Sequence, residues 1–284
     1  MPALGAVVVG GGFVWVDGAH GIEKVNPATD EVVGTIPINA DGVAFGEGAV
    51  WATVVRGGLG AFVRHSVVRV DPRTNEVTTV GRPGPPEQEF PNASFQGRLA
   101  TGDGAVWYAI HTQLSSPGAI ERIDIRTGVP RTIRLPGPAD GVVVGAGAVW
   151  VRSNGLNAAV LELDPNTGKL RHQGSVVAAD AIAASGSNVW ITDASDNLVI
   201  KLDPNGAQSA VVENGITGPE AIAATDQAVW VATRTCDLVR IDPTLNKVVA
   251  SVPVGVSNIG TVAVGSEGVW IGSGGRGAKT TSCA

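Results

Sequence analysis

Every tryptophan of this chain sits in a near-copy of one short stretch, and there are seven copies. They end at Trp15, Trp51, Trp107, Trp150, Trp190, Trp230 and Trp270, and the fullest form reads Gly145-Ala146-Gly147-Ala148-Val149-Trp150. The last four tryptophans are spaced by forty residues (190 − 150 = 40, and likewise to 230 and 270). A glycine-rich turn between two short apolar runs is a strand–turn–strand signal. A self-similar period of roughly 40–50 residues is that of a propeller blade of four strands.

Each unit divides into strands a to d. In the fourth unit these are Gly141–Val144, Ala148–Val151, Val160–Leu163 and a strand beginning at Lys169-Leu170. Charged residues make up only 16% and there are 39 glycines, which suits many short strands joined by tight turns rather than helices. We therefore expect one all-β domain over 1–284, a seven-bladed β-propeller, with units at about 4–38, 41–81, 97–136, 140–177, 180–214, 220–254 and 260–284. The last blade is expected to be incomplete, with Lys279–Cys283 as its candidate strand c. Six blades plus a tail is the fallback.

Two repeated features are read as framework. Asp71-Pro72, Asp203-Pro204 and Asp242-Pro243, with the variants Asn26-Pro27 and Asp124-Ile125, follow strand c. Proline presets φ in a type I turn and the preceding carboxylate or amide accepts its hydrogen bonds. The tryptophans keep one phase per unit and are expected to pack between blades.

Three places break the even spacing: about Val54 to His65, Arg82 to Gln96, and His111 to Ala119. In a propeller the b–c and d–a loops share one face, so all three insertions decorate the same face of neighbouring blades, where function concentrates. The first position of strand a opens on that face. Its occupants are Gly5, Asp41, Gly97, Asp140, Asp180, Glu220 and Gly260.

Carboxylates gathered this way raise one another's pKa unless a cation intervenes. Asp140, Asp180 and Glu220, from consecutive units, are thus the candidate ligands for Mg²⁺ or Ca²⁺, which prefer oxygen. With Asp41 they are equally the candidate general acids or bases. A plain solvated mouth is the competing expectation. Around them stand Arg152, Arg234 and His111 as candidate oxyanion stabilisers, and Gln96, Arg98, Asn154, Asp193, Arg56 and Phe62 as candidate substrate contacts. No other cofactor is implied: GxxxxGK[ST], HExxH, paired CxxC and GxSxG are absent, and no GxGxxG lies between a strand and a helix.

The formal net charge is −6 with no run of Lys or Arg, so neither nucleic acid nor an anionic membrane is an expected partner. A monomer is expected. No stretch reaches the length of a membrane span. The start, Met1-Pro2-Ala3-Leu4, has no signal-peptide pattern, so the expected location is the cytoplasm, or outside it if a signal was removed before this numbering. The two cysteines, Cys236 and Cys283, leave one disulfide and two free thiols both open.

The pattern Ala228-Val229-Trp230-Val231-Ala232, then Leu238-Val239-Arg240-Ile241-Asp242-Pro243 and Val248-Val249-Ala250-Ser251-Val252-Pro253-Val254, resembles the bacterial repeat propellers that include virginiamycin B lyase and the YncE (YVTN-type) proteins. The resemblance spans essentially the whole chain, although its motifs are blade framework. It implies a seven-bladed fold and a Mg²⁺-dependent elimination using histidine and glutamate at the channel mouth. Here no strand-a start carries histidine and only Glu220 supplies a glutamate. Two functions stay open. One is a redox-neutral lyase, cyclase or isomerase acting on a small organic molecule such as a secondary metabolite. The other is a non-catalytic propeller binding a peptide, glycan or protein on the same face.

Overall fold

The computed structural model describes residues 5–18, 20–56, 64–81, 99–110, 117–154, 158–175 and 179–273. They form strands alone. Sheet one holds β1 (Val7–Gly10), β2 (Phe13–Gly18), β3 (Gly21–Asn26) and β4 (Glu31–Ile36). Sheet two holds β5 (Ala40–Gly46), β6 (Ala49–Arg56), β7 (Arg64–Val70) and β8 (Val77–Gly81). Sheet three holds β9 (Leu99–Gly102), β10 (Ala105–Ile110), β11 (Ala119–Asp124) and β12 (Pro130–Arg134). Sheet four holds β13 (Gly141–Gly145), β14 (Ala148–Ser153), β15 (Ala159–Leu163) and β16 (Leu170–Ser175). Sheet five holds β17 (Ala181–Ser185), β18 (Asn188–Asp193), β19 (Leu198–Leu202) and β20 (Gln208–Val212). Sheet six holds β21 (Pro219–Ala224), β22 (Val229–Thr233), β23 (Asp237–Asp242) and β24 (Lys247–Pro253), and the seventh copy gives β25 (Ile259–Val264) and β26 (Val269–Ser273).

Six sheets are thus four-stranded meanders in sequence order, and the seventh copy pairs two strands. The expectation of seven blades is corrected to six. A blade needs four laddered strands, and the seventh copy contributes only strands a and b among the described residues. The candidate strand c at Lys279–Cys283 lies outside them. A second correction is local: β6 and β7 stay paired out to Arg56↔Arg64, so the ends of the expected loop at Val54–His65 are ladder.

The chain divides into two compact units, one over Ala6–Val142 and one from Val143 onward that also takes in Gly5. Within the first, β1 packs on β5 and β5 on β9; within the second, β17 packs on β21 and β21 on β25. First strands therefore neighbour first strands, which a meander sheet permits only if successive sheets stack face to face.

The tryptophans explain that stacking. Trp15, Trp51, Trp107, Trp150 and Trp190 have no exposed surface. Four of these rings share a buried cluster with residues of the following sheet: Trp15 with Val50 and Ala52, Trp51 with Val106 and Ile123, Trp150 with Val189 and Ile191, and Trp190 with Val229 and Val231. Burying such a ring is worth several kcal/mol, since Trp→Ala in a core costs about 3–5 kcal/mol. In the first four copies the indole Nε1 donates to the carbonyl five residues earlier, on Gly10, Gly46, Gly102 and Gly145, at 3.0, 3.0, 3.2 and 3.0 Å. The ring is fixed to its own turn while its face packs on the next sheet.

Glycine at that carbonyl position has its own reason. A Cβ on Gly46 would lie 2.0 Å from Thr101 Oγ1, and one on Gly145 would lie 2.7 Å from Ala184 Cβ. The next sheet occupies the space.

Opposite the tryptophan across the ladder stands a basic residue in five of six sheets: Lys24, Arg69, Arg122, Lys201 and Arg240, with Glu162 in the fourth. Lys24 Nζ lies 3.8 Å from the Phe13 ring centroid and donates to the Pro72 carbonyl at 2.7 Å and Asn75 Oδ1 at 3.4 Å. Lys201 repeats this on the Pro243 carbonyl at 2.7 Å and Asn246 Oδ1 at 3.3 Å. A lysine from one sheet thus clamps the Asp-Pro turn of the next. The turn aspartates are occupied as expected: Asp71 Oδ1 accepts from Arg73 N and Thr74 N, and Asp242 Oδ1 from Thr244 N and Leu245 N. Those amide bonds hold the carboxyls of Asp71, Asp164 and Asp242 below the usual carboxylate range.

Candidate functional site

In three copies the first position of strand a is set by an irregularity rather than by regular pairing. The ladder of β5 with β6 slips between Ala40 and Gly42, leaving Asp41 as the extra residue. That of β21 with β22 slips between Pro219 and Ala221, leaving Glu220, and that of β25 with β26 slips at Gly260. Asp180 lies just ahead of β17, with its amide on the Thr192 carbonyl at 2.9 Å. A bulged residue leaves the in–out alternation of its strand and its side chain is re-aimed. This is why three copies carry a polar or bare residue where a strand would place an apolar one.

In the first unit, Asp140 is 5% exposed and makes a polar or electrostatic interaction in its burial. Its side chain is thus largely withdrawn from solvent. Asp41 belongs to the same unit, on β5; its side chain, like that of Arg56 at the end of β6, is outside the described part. His111, Gln96, Arg98 and Phe62 also lie outside the described residues.

The second unit contains the remaining candidates. Asp180 is exposed, and its Oδ2 accepts from Ala194 N at 2.7 Å. Arg152 Nη1 and Asn154 Nδ2, the latter at 2.9 Å, both donate to the Ala179 carbonyl, the residue before Asp180. These two side chains fix the backbone that presents Asp180. Asp193 is 1% exposed, and its Oδ1 accepts from Ser195 N and Asp196 N at 3.0 Å each. It caps the turn at the end of β18. The same position in the next sheet is Thr233, whose Oγ1 accepts from Asp237 N.

Arg234 and Glu220 form the clearest constellation. Arg234 Nε donates to Glu220 Oε1 at 2.9 Å, with the arginine side chain 61% and the glutamate 26% exposed. Arg234 N donates to the Gly218 carbonyl at 2.9 Å. Gly218 N in turn donates to Asn197 Oδ1 at 2.7 Å. Gly218 has φ +56°, and a Cβ there would lie 3.0–3.1 Å from Cβ, Cγ and Cδ of Arg234, so the arginine stem lies over a residue that has to be bare. Asn197 and Gly218 were not among the sequence candidates. Their only signal is an Asn and a Gly in adjoining loops, which turn chemistry explains equally well.

The turn that carries Arg234 includes Cys236, which is disulfide-bonded and 4% exposed, with φ +65°. Of the two thiol states left open by the sequence, the free thiol is therefore corrected for Cys236; Cys283 lies outside the described residues. Among the described residues no three His, Cys, Asp or Glu side chains gather as they would to hold a metal ion. Asp140 belongs to one unit, Asp180 and Glu220 to the other. No helix is long and apolar enough to cross a membrane.

The chain is similar in structure to hydrazine synthase from Kuenenia stuttgartiensis, with a TM-score of 0.71, 12% identity, and coverage of 96% of this chain and 92% of that one. It is also similar to the WD40 domain of Neurospora crassa Pan2, at 0.63 and 14% identity over 97% and 90% of the two chains. A chain of a nidogen/laminin complex matches at 0.56 and 15% identity, over 87% and 92%. No protein-family model matches the sequence, and no curated protein matches it either. At such identities the likeness defines the class and nothing finer: this is a repeat protein with the β-propeller fold, of six four-stranded blades. Propellers host many unrelated activities, so function is argued from the site.

Proposed function

We propose that this propeller binds a small organic molecule on the face where strands b end and strands a begin, and acts on it by redox-neutral acid–base chemistry of the lyase, cyclase or isomerase kind. The observation that carries the reading is the pair of carboxylates at the strand-a starts, Glu220 on a bulge and Asp180 just ahead of β17. Arg152 and Asn154 both hold the backbone ahead of Asp180. Asp180 is the candidate proton-transfer group, since one of its oxygens is anchored by Ala194 N and the side chain is exposed. Arg234 is the candidate for stabilising negative charge on the ligand. Mg²⁺ or Ca²⁺ remains the ion that oxygen ligands of this kind would take. The disulfide at Cys236 favours an oxidising compartment over the cytoplasm.

A non-catalytic binding propeller is the second reading, favoured by Asp193 being spent on a turn and Asp140 being buried. The two separate in one experiment. The protein and Asp180→Asn are screened against small-molecule mixtures by ligand-observed NMR, and each bound compound is then followed for conversion by mass spectrometry. Conversion by the parent and binding without conversion by Asp180→Asn supports the enzyme. Binding without conversion by both supports the binding module.

A further inference from the structure

Resting on the reading that this face of the second unit binds a small molecule, we propose that Arg234 is the anchor for a carboxylate on that ligand, with Glu220 as the positioning residue that aims it. Exposed arginines ordinarily sample many rotamers. Arg234 is restrained at three levels instead. Its amide is bound to the Gly218 carbonyl, its stem lies over the bare Gly218, and its Nε is bound to Glu220 Oε1. Gly218 is itself held by Asn197 Oδ1. Three residues, Gly218, Glu220 and Asn197, thus fix one side chain that remains 61% exposed.

Fold stability does not account for this construction, because solvent-exposed ion pairs contribute little. Recognition does. With Nε engaged, the two Nη groups have no partner among the described residues. They present the donor fork that matches a planar carboxylate with two parallel hydrogen bonds. Holding the fork beforehand removes the ordering cost from the binding step. Arg152 shows the contrast: its Nη1 is turned onto the Ala179 carbonyl of the framework. Charge favours a monoanion. Glu220 lies against the guanidinium and the chain carries a net −6, so a phosphate dianion meets more repulsion than a carboxylate.

The test is titration of the full chain with acetate, and separately with inorganic phosphate, at constant ionic strength set with chloride, read on the Arg234 Nε–Hε resonance. Acetate is expected to shift that resonance saturably and to bind more tightly than phosphate. Arg234→Lys, followed on the Thr233–Asp237 amides because it has no guanidinium Nε–Hε, keeps the charge and loses the fork, and is expected to weaken acetate about tenfold. Glu220→Gln keeps an acceptor for Nε and removes a repelling charge, so it is expected to bind acetate at least as well as the parent. Glu220→Ala loses the acceptor and is expected to bind more weakly than Glu220→Gln. A merely electrostatic effect gives the two Glu220 variants equal affinity, which overturns the positioning role. No acetate response at Arg234, tighter phosphate than acetate, or full affinity in Arg234→Lys overturns the anchor. If screened compounds still perturb the Thr192–Ala194 and Thr233–Asp237 amides after such a result, the ligand face survives and only the anchor falls. If no compound perturbs those amides, the functional reading itself falls.

Discussion

Replacing Lys24 by Met tests whether the lysine clamp between sheets, rather than apolar stacking alone, sets stability. Lys24 is 7% exposed, so its stem is already part of the packing, and Met preserves most of that volume. What Met removes is the ammonium. Its bond to the Pro72 carbonyl at 2.7 Å is charge-assisted, a kind worth about 1.5–3 kcal/mol. Its place 3.8 Å from the Phe13 ring adds about 0.5–1 kcal/mol or more. Against these stands the cost of desolvating the ammonium, which depresses the Lys24 pKa despite the nearby Asp71 carboxylate. The balance is a loss of about 2 kcal/mol, which includes the penalty of an orphaned Pro72 carbonyl. Urea unfolding followed by tryptophan fluorescence should show a lower midpoint with an unchanged slope. Lys201, which is only half-buried and makes the same pair of bonds on Pro243 and Asn246, should lose about half as much on Lys201→Met. A Lys24→Met protein within about 0.5 kcal/mol of the parent refutes the clamp, since that is the range of a neutral surface change.

Other outcomes follow from the same contacts. Gly145→Ala forces a methyl to 2.7 Å from Ala184 Cβ and should cost about 1–3 kcal/mol by overpacking, whereas Gly147→Ala, with φ +74° and open space, should cost only about 1 kcal/mol; equal losses by calorimetry would contradict the stacking account. The turn carboxyls Asp71, Asp124, Asp164 and Asp242 have folded pKa values below their unfolded ones. Their stabilisation is therefore complete above the unfolded value near pH 4 and is lost as pH falls through the folded values. The melting temperature should drop on acidification below about pH 4, and less steeply in Asp164→Asn. Cys236→Ser should destabilise the fold by about 4 kcal/mol if the bridge closes within the chain, since Cys283 is the only other cysteine and the loop spans 283 − 236 = 47 residues. Insensitivity of the unfolding midpoint to a dithiol reductant would count against that bridge.

Most of the framework was legible because each repeat states it again. The fourth unit's strands were placed at 141–144, 148–151 and 160–163, and the ladders run over Gly141–Gly145, Ala148–Ser153 and Ala159–Leu163. The reading of the Asp-Pro turns and of the tryptophans as framework follows the same logic, since a side chain recurring at one phase answers to a recurring neighbour. The blade count was less legible. Strands a and b of the seventh copy carry the full signature, while completeness depends on strands c and d, whose patterns are weak in every copy. The basic residue two positions before the turn residue in five of the six sheets, as in Lys24 and Asn26 or Lys201 and Asp203, was visible but was not connected with the next sheet's turn. At the site, periodic alignment found the strand-a starts. It could not tell a buried Asp140 from an exposed Asp180, because burial there depends on what the neighbouring loops contribute. Nor could it show that Asp193 caps its own turn, since a capping carboxylate and one facing a ligand look alike in sequence.

The incomplete seventh copy also gives the molecule an optical asymmetry. Five indoles have no accessible surface, while Trp230 and Trp270 are half-buried. Their emission lies to the red of the sealed five and is open to aqueous quenchers. Acrylamide therefore divides the intrinsic fluorescence into a silent majority and a responsive pair. That pair brackets β23 and the turn of Arg234, so the chain reports events on its candidate ligand face without any added label.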